Sequence, residues 1–273
     1  MFRNRRASAA MASPYVAWMT IFIVVPLLMV FYFGLTDRTG AFTLSNIYAI
    51  SAPAYLKSLI LALRLSLIST VICFILSYPL AVFLSRSASA RGFIITIFIL
   101  PMWMNFLLRT YAWLTLLEGN GIINSVLKFF GLPAQRIINT PSAIVFGMVY
   151  NFLPFMLLPL YNAVSRIDPS VIEAARDLGA GRFQTLIKVM LPLSANGIIS
   201  GVTMVFIPGL TTFAISTLLG GDKVLLIGNV IESKFVGQVY DPHVGSGLSL
   251  VLMVFIIINM VISMISDAKT QEE

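Results

Sequence analysis

Long apolar stretches alternate with short polar ones along the whole chain, and their lengths predict the elements. Runs over 14–35, 58–84, 93–117, 141–164, 189–216 and 246–266 are each about 20 or more residues. At 1.5 Å rise per residue, such a helix crosses a hydrocarbon core roughly 30 Å thick. The pattern predicts an all-α membrane protein with six transmembrane helices. The outer connections, 36–57, 118–140 and 217–245, are long enough to hold short helices. The last of them is expected to fold back partly against the spans, where irregular backbone must be buried in protein or face water.

Composition agrees with this reading. Of the 273 residues, 58% are hydrophobic and only 11% charged, and the mean hydropathy is +0.93; ordinary soluble domains carry about 25% charged residues. Positive charge is unevenly placed. Arg3, Arg5 and Arg6 precede the first span, Arg86 and Arg91 follow the second, and Arg166, Arg176, Arg182 and Lys188 follow the fourth. The opposite connections are longer yet hold only Arg38, Lys57, Lys128, Arg136, Lys223 and Lys234. That density places both termini in the cytoplasm. The net charge of +7 is thus explained by topology, and no nucleic-acid partner is expected. The first apolar run is too long for a signal peptide's core and lacks a small-residue cleavage pattern, so it is read as the first helix. The single Cys73 is expected to be an apolar filler and the single His243 to be exposed; neither makes a metal site. The chain is read as one domain, 1–273, with a cytoplasmic segment 166–188 inside it.

That segment carries the most specific pattern. Asp168 and Pro169 start a helix, as capping residue and first-turn proline. Glu173, Arg176 and Asp177 share one face, Ile172, Ala175 and Leu178 supply apolar positions, and Gly179 ends the helix in a left-handed cap. A rigid peg of about 10 residues, roughly 15 Å long, is predicted, followed by a helix leading into the fifth span. Small residues at Ala174, Ala175 and Gly179 admit close approach of another surface, and Glu173 and Asp177 offer carboxylates.

Glu173, Ala174, Ala175, Gly179, Val189, Leu191 and Pro192 stand at the spacing of the EAA motif, and the chain resembles ABC importer permeases on that ground, with Val189 where the motif has Ile. The resemblance implies the type I permease (MetI-like) fold. It also implies that Glu173, Ala174, Ala175, Asp177, Leu178 and Gly179 couple the membrane part to an ATP-binding subunit. Residues 101–113, 155–161, 174–179, 220–221 and 226–231 are similar to the spermidine/putrescine permeases, whereas Tyr240–Gly245 departs from many of them. Two ATP-binding subunits, a second homologous permease, an extracytoplasmic solute-binding protein, a polyamine substrate and bacterial inner-membrane lipid are the implied partners. No phosphate-binding Gly-x-x-x-x-Gly-Lys-Ser/Thr loop is present. No catalytic residue or cofactor is therefore expected in this chain, with ATP and Mg assigned to the partner ATPase.

A flexible polycation is suited by aromatic faces and carboxylates. Trp103, Tyr111, Glu118 and Glu232, with Asn105, are the expected pathway residues; Trp113 divides between pathway and interface packing. Pro101 is expected to kink the third span and free carbonyls for a cation. Arg109 is assigned a gating or structural role, holding a carboxylate or carbonyls, and Arg64 a structural one. Two other readings stand beside this one: a permease for another small organic solute, and a secondary transporter, for which the midplane acids or inverted repeats are not evident.

Overall fold

The computed structural model describes residues 13–86, 88–237 and 239–271. Among these described residues, four helices are long and apolar enough to cross a membrane: Ser13–Leu35 (α1), Pro53–Arg86 (α2), Pro141–Ser165 (α6) and the Pro242–Ile265 part of the last helix, Pro242–Gln271 (α11). Two further regions qualify only as bent pairs. Ile95–Trp103 meets Phe106–Phe129 at 100°, and Arg182–Leu193 (α8) meets Ala195–Thr211 (α9) at 74°. The third and fifth expected spans are therefore broken rather than straight. Between them lie Ala88–Ile99 (α3), Phe106–Leu117 (α4), Ile122–Phe129 (α5), Pro169–Asp177 (α7) and Ile227–Val236 (α10). The short helices α5 and α10 fall in the outer connections that were expected to hold such pieces.

The break in the third span has two causes, at Pro101 and at Asn105. Pro101 lies in a 3₁₀ turn over Leu100–Trp103, because proline removes a backbone donor and clashes with the preceding turn. Asn105 then restarts the chain as α4, its Oδ1 accepting from the N–H groups of Leu107 and Leu108 at 2.8 and 3.3 Å. The carbonyl of Pro101 itself accepts from Met104 N–H at 3.1 Å, closing the turn.

The chain divides into two compact units. One comprises the described part of Met1–Leu56 together with Val230–Phe255. Here the carbonyls at the end of α1 are taken up by two side chains. Asn46 Nδ2 donates to Phe33, Gly34 and Thr36 carbonyls at 2.9–3.3 Å, and His243 Nδ1 lies 3.1 and 2.7 Å from those of Phe33 and Thr36. His243 is half-buried and its ring stands edge-on to Phe33. The expectation of an exposed histidine is corrected: a helix end leaves carbonyls unpaired, and a ring N–H from a distant segment satisfies them. Asp37 closes the following turn, and bonds from the Thr39 hydroxyl and the N–H groups of Ala41 and Thr39 hold its carboxyl below the ordinary value.

The other unit comprises Lys57–Asn229 and Ile256–Glu273. Its centre is the seam between α6 and α9, made close by small residues. A Cβ at Gly201 would stand 2.7 Å from Met156 Sδ, and one at Gly197 would stand 2.7 Å from the Pro159 carbonyl oxygen. Small residues of this kind let membrane helices approach backbone to backbone, where dispersion replaces the absent hydrophobic drive. Polar ties cross the same unit. Tyr78 OH on α2 pairs with Ser194 Oγ at 3.0 Å, at the α8–α9 break. Asn151 Nδ2 on α6 donates to Gly147 O at 2.9 Å and Thr110 Oγ1 on α4 at 3.4 Å. Asn229 Nδ2 reaches Phe213 O and Thr217 Oγ1 at 3.1 and 2.7 Å. Cys73 is fully buried, as expected for an apolar filler.

Candidate coupling and pathway sites

The peg forms from local chemistry. Asp168 Oδ1 accepts from Ser170 N–H at 2.9 Å, with Pro169 in the first turn. The Ser170 N–H, then its hydroxyl, hold the Asp168 carboxyl below the ordinary value. At the other end Gly179 adopts φ +84°, a conformation that costs any residue with a Cβ roughly 1–2 kcal/mol. Gly179 N–H then reaches Arg176 O at 2.8 Å and Ala180 N–H reaches Ala175 O at 3.0 Å. This paired closure satisfies the last carbonyls and stops α7. Gly181 N–H donates to Gln184 Oε1 at 3.2 Å, which starts α8 one residue later.

The exposed side of α7 is mixed. Glu173, Ala174, Arg176, Asp177, Leu178 and Gly179 are exposed, while Ile172 and Ala175 are half-buried. No ion pair among the described residues joins Glu173, Arg176 or Asp177, so their charges are left uncompensated within the chain. Leu178 is 89% exposed; an apolar side chain held out at a helix end, beside a glycine, is suited to being covered by a partner. A cavity of about 270 Å³ opens beside it, lined by Ala175, Leu178, Gly179, Gln184 and Lys188. A second, of about 280 Å³, lies under the helix and includes Arg86, Ser165, Pro169, Ile172 and Glu173. Gln184, Lys188 and Arg86 were not singled out from sequence. Arg86 and Lys188 had been absorbed into the topological charge count, and Gln184 carries its signal only as a start residue of α8.

Trp103, at the end of the 3₁₀ turn, is 87% exposed. Tyr111 is exposed on α4, and Glu118 follows α4 with its side chain exposed. No hydrogen bond, ion pair or ring contact among the described residues joins the side chains of these three. Glu232 is exposed on α10, within the other compact unit. Asn105 is occupied as the cap of α4. Trp113 packs edge-on to Phe146 and Tyr150, with centroids at 4.5 and 5.2 Å, an arrangement of aromatic packing. Arg109 is only 7% exposed, and its Nε and Nη1 are buried without a hydrogen-bond partner. No carboxylate or carbonyl of the described residues takes those two atoms. Arg64 is exposed beside a cavity of about 390 Å³ with Leu61, Ile68, Pro141 and Ser142.

Residues 74–268 match the family described as "Binding-protein-dependent transport system inner membrane component". Among curated relatives, the spermidine/putrescine transport system permease protein PotB of Escherichia coli (strain K12) is 38% identical over 248 residues, covering 88% of this chain and 90% of its own. The inner membrane ABC transporter permease protein YdcU of the same organism is 31% identical, over 80% of this chain and 74% of its own. Among solved structures, a chain of a bacterial ABC transporter involved in alginate import superposes with TM-score 0.78 at 18% identity, covering 96% of each chain. A chain of the MetNI methionine ABC transporter in an inward-facing conformation gives 0.56 at 19% identity, over 76% of this chain and 92% of that one.

Proposed function

The chain belongs to the family of binding-protein-dependent transport system inner membrane components, and on that premise we propose that it imports spermidine or putrescine. It is a permease subunit of an ABC importer and not itself a catalytic enzyme. The observation that carries the substrate reading is the 38% identity to a spermidine/putrescine permease across 88% of the chain.

In this reading both termini are cytoplasmic and two ATP-binding subunits, holding ATP and Mg, sit below the membrane. Residues 166–188 form the coupling segment of a single permease domain. Glu173 and Asp177 meet basic groups of an ATP-binding subunit, Leu178 inserts into its surface, and Ala174, Ala175 and Gly179 allow contact with the backbone. Closure of the ATP-binding subunits displaces α7 and, through α8, rotates α9 against α6 across the glycine seam. The path then opens outward to accept a polyamine from an extracytoplasmic binding protein, and release of ADP and phosphate returns it inward. A second homologous permease supplies the other half of the path. Trp103 and Tyr111 offer ring faces to a polycation, and Glu118 and Glu232 carboxylates; Pro101 and Arg109 shape the elbow of the third span.

The test is ATPase activity of the complete complex in proteoliposomes, with its binding protein, against a panel of solutes. Spermidine or putrescine should raise the rate. A different organic solute that raises it while polyamines do not would overturn the substrate and leave the permease assignment intact.

A further inference from the structure

A cavity of about 560 Å³ opens where α2, α7 and α8 meet, and three arginines line it: Arg86, Arg176 and Arg182. No carboxylate lines it, and its remaining wall is largely apolar, with Pro79, Val82 and Phe183. Among the described residues none of the three guanidiniums forms an ion pair. Arg86 Nη2 lies 3.4 Å from Met190 Sδ; a thioether is a weak acceptor, so this contact orients the guanidinium without satisfying it. Glu173 lies in the neighbouring cavity with Arg86 and Arg176, more than salt-bridge distance from either.

Position says which anion this pocket suits. Arg86 is the last residue of α2, a helix long and apolar enough to cross a membrane, and basic side chains at the end of such a helix attract anionic headgroups. Pro79 and Val82 stand on its preceding turns, and Phe183 is 73% exposed on α8. Clustered guanidiniums above an apolar wall at a helix end match a ligand with a phosphate head and hydrocarbon tails. We propose that this cavity binds an anionic phospholipid, the phosphate held by Arg86, Arg176 and Arg182 and an acyl chain lying against Pro79, Val82 and Phe183. One headgroup then bridges α2, α7 and α8, so the peg is braced by lipid as well as by protein. The inference does not depend on which solute is carried.

Lipid retained by the full chain purified in mild detergent tests it, read by native mass spectrometry after exchange into mixtures of phosphatidylglycerol and phosphatidylethanolamine. The wild-type chain should retain phosphatidylglycerol selectively. Arg86→Gln with Arg182→Gln should lower that retention about fivefold per guanidinium removed, and Arg182→Lys should largely keep it, separating loss of charge from loss of folding. If the double variant does not fold, Arg182→Gln alone carries the comparison, because that residue is exposed. Equal retention by wild type and the glutamine variant overturns the proposal. So does displacement of the lipid by inorganic phosphate at equal phosphate concentration, which assigns the pocket to free phosphate. If Arg182→Cys is shielded from a water-soluble maleimide only when the ATP-binding subunits are bound, and equally with and without phosphatidylglycerol, the arginines meet an acidic protein surface and the proposal is overturned.

Discussion

Two helices in this chain begin in the same way and serve opposite ends. α7 begins at Asp168, whose carboxylate accepts from Ser170 N–H at 2.9 Å; α4 begins at Asn105, whose amide oxygen accepts from Leu107 and Leu108 at 2.8 and 3.3 Å. At Asp168 water competes for the same N–H groups, and the cap chiefly fixes where the peg starts. At Asn105 the chain turns by 100° inside an apolar run, where an unpaired N–H has few other partners. One cap therefore fixes where an exposed helix starts, and the other makes a broken span tolerable. The same hydrogen bond is worth more where solvent is scarce.

Breaking both ends of the peg's docking face should have the largest effect. Glu173→Lys with Gly179→Asp is expected to reduce uptake to background while the chain still inserts, checked by membrane fractionation beside substrate accumulation. Next, Asn105→Leu removes the acceptor for two N–H groups in an apolar setting, with an expected loss of about 1–3 kcal/mol, measured as a lowered unfolding midpoint in detergent. Gly179→Ala should cost roughly 1–2 kcal/mol of local strain at φ +84°; it should weaken coupling, lowering solute transported per ATP hydrolysed, and leave membrane insertion intact. The smallest effect is on pH. Because the Asp168 carboxyl is held below its ordinary value, its cap is fully present above that value and lost only as pH falls through the lowered one. Proteolytic protection of the 169–181 segment should therefore fall only at strongly acidic pH in the wild type, and should show no such acid step in Asp168→Asn, whose cap does not titrate.

The comparison also explains what could be read in advance. The peg was legible from 168 to 179 because each signal, Asp-Pro, the shared charged face and Gly, interrupts a polar neighbourhood in a recognisable way. The bend of the third span was legible at Pro101, whereas the restart of the helix at Asn105 was not, since a lone amide in an apolar run reads equally as ligand or cap. Ser194 is a similar case: the break between α8 and α9 is tied to Tyr78, 116 residues earlier. His243 was misread because its acceptors, the carbonyls of Phe33 and Thr36, lie 210 and 207 residues away. Four of the six apolar runs form single helices long enough for a bilayer among the described residues, and the other two qualify only as bent pairs.

If the tip of α7 docks into an ATP-binding subunit as proposed, the exposed Leu178 is where that contact can be read. Leu178→Cys should react quickly with a water-soluble maleimide in the chain alone, while the buried Cys73 stays silent. In the complex with the ATP-binding subunits, the reaction at position 178 should be suppressed. An unchanged labelling rate in an assembled complex that hydrolyses ATP and transports would contradict the account.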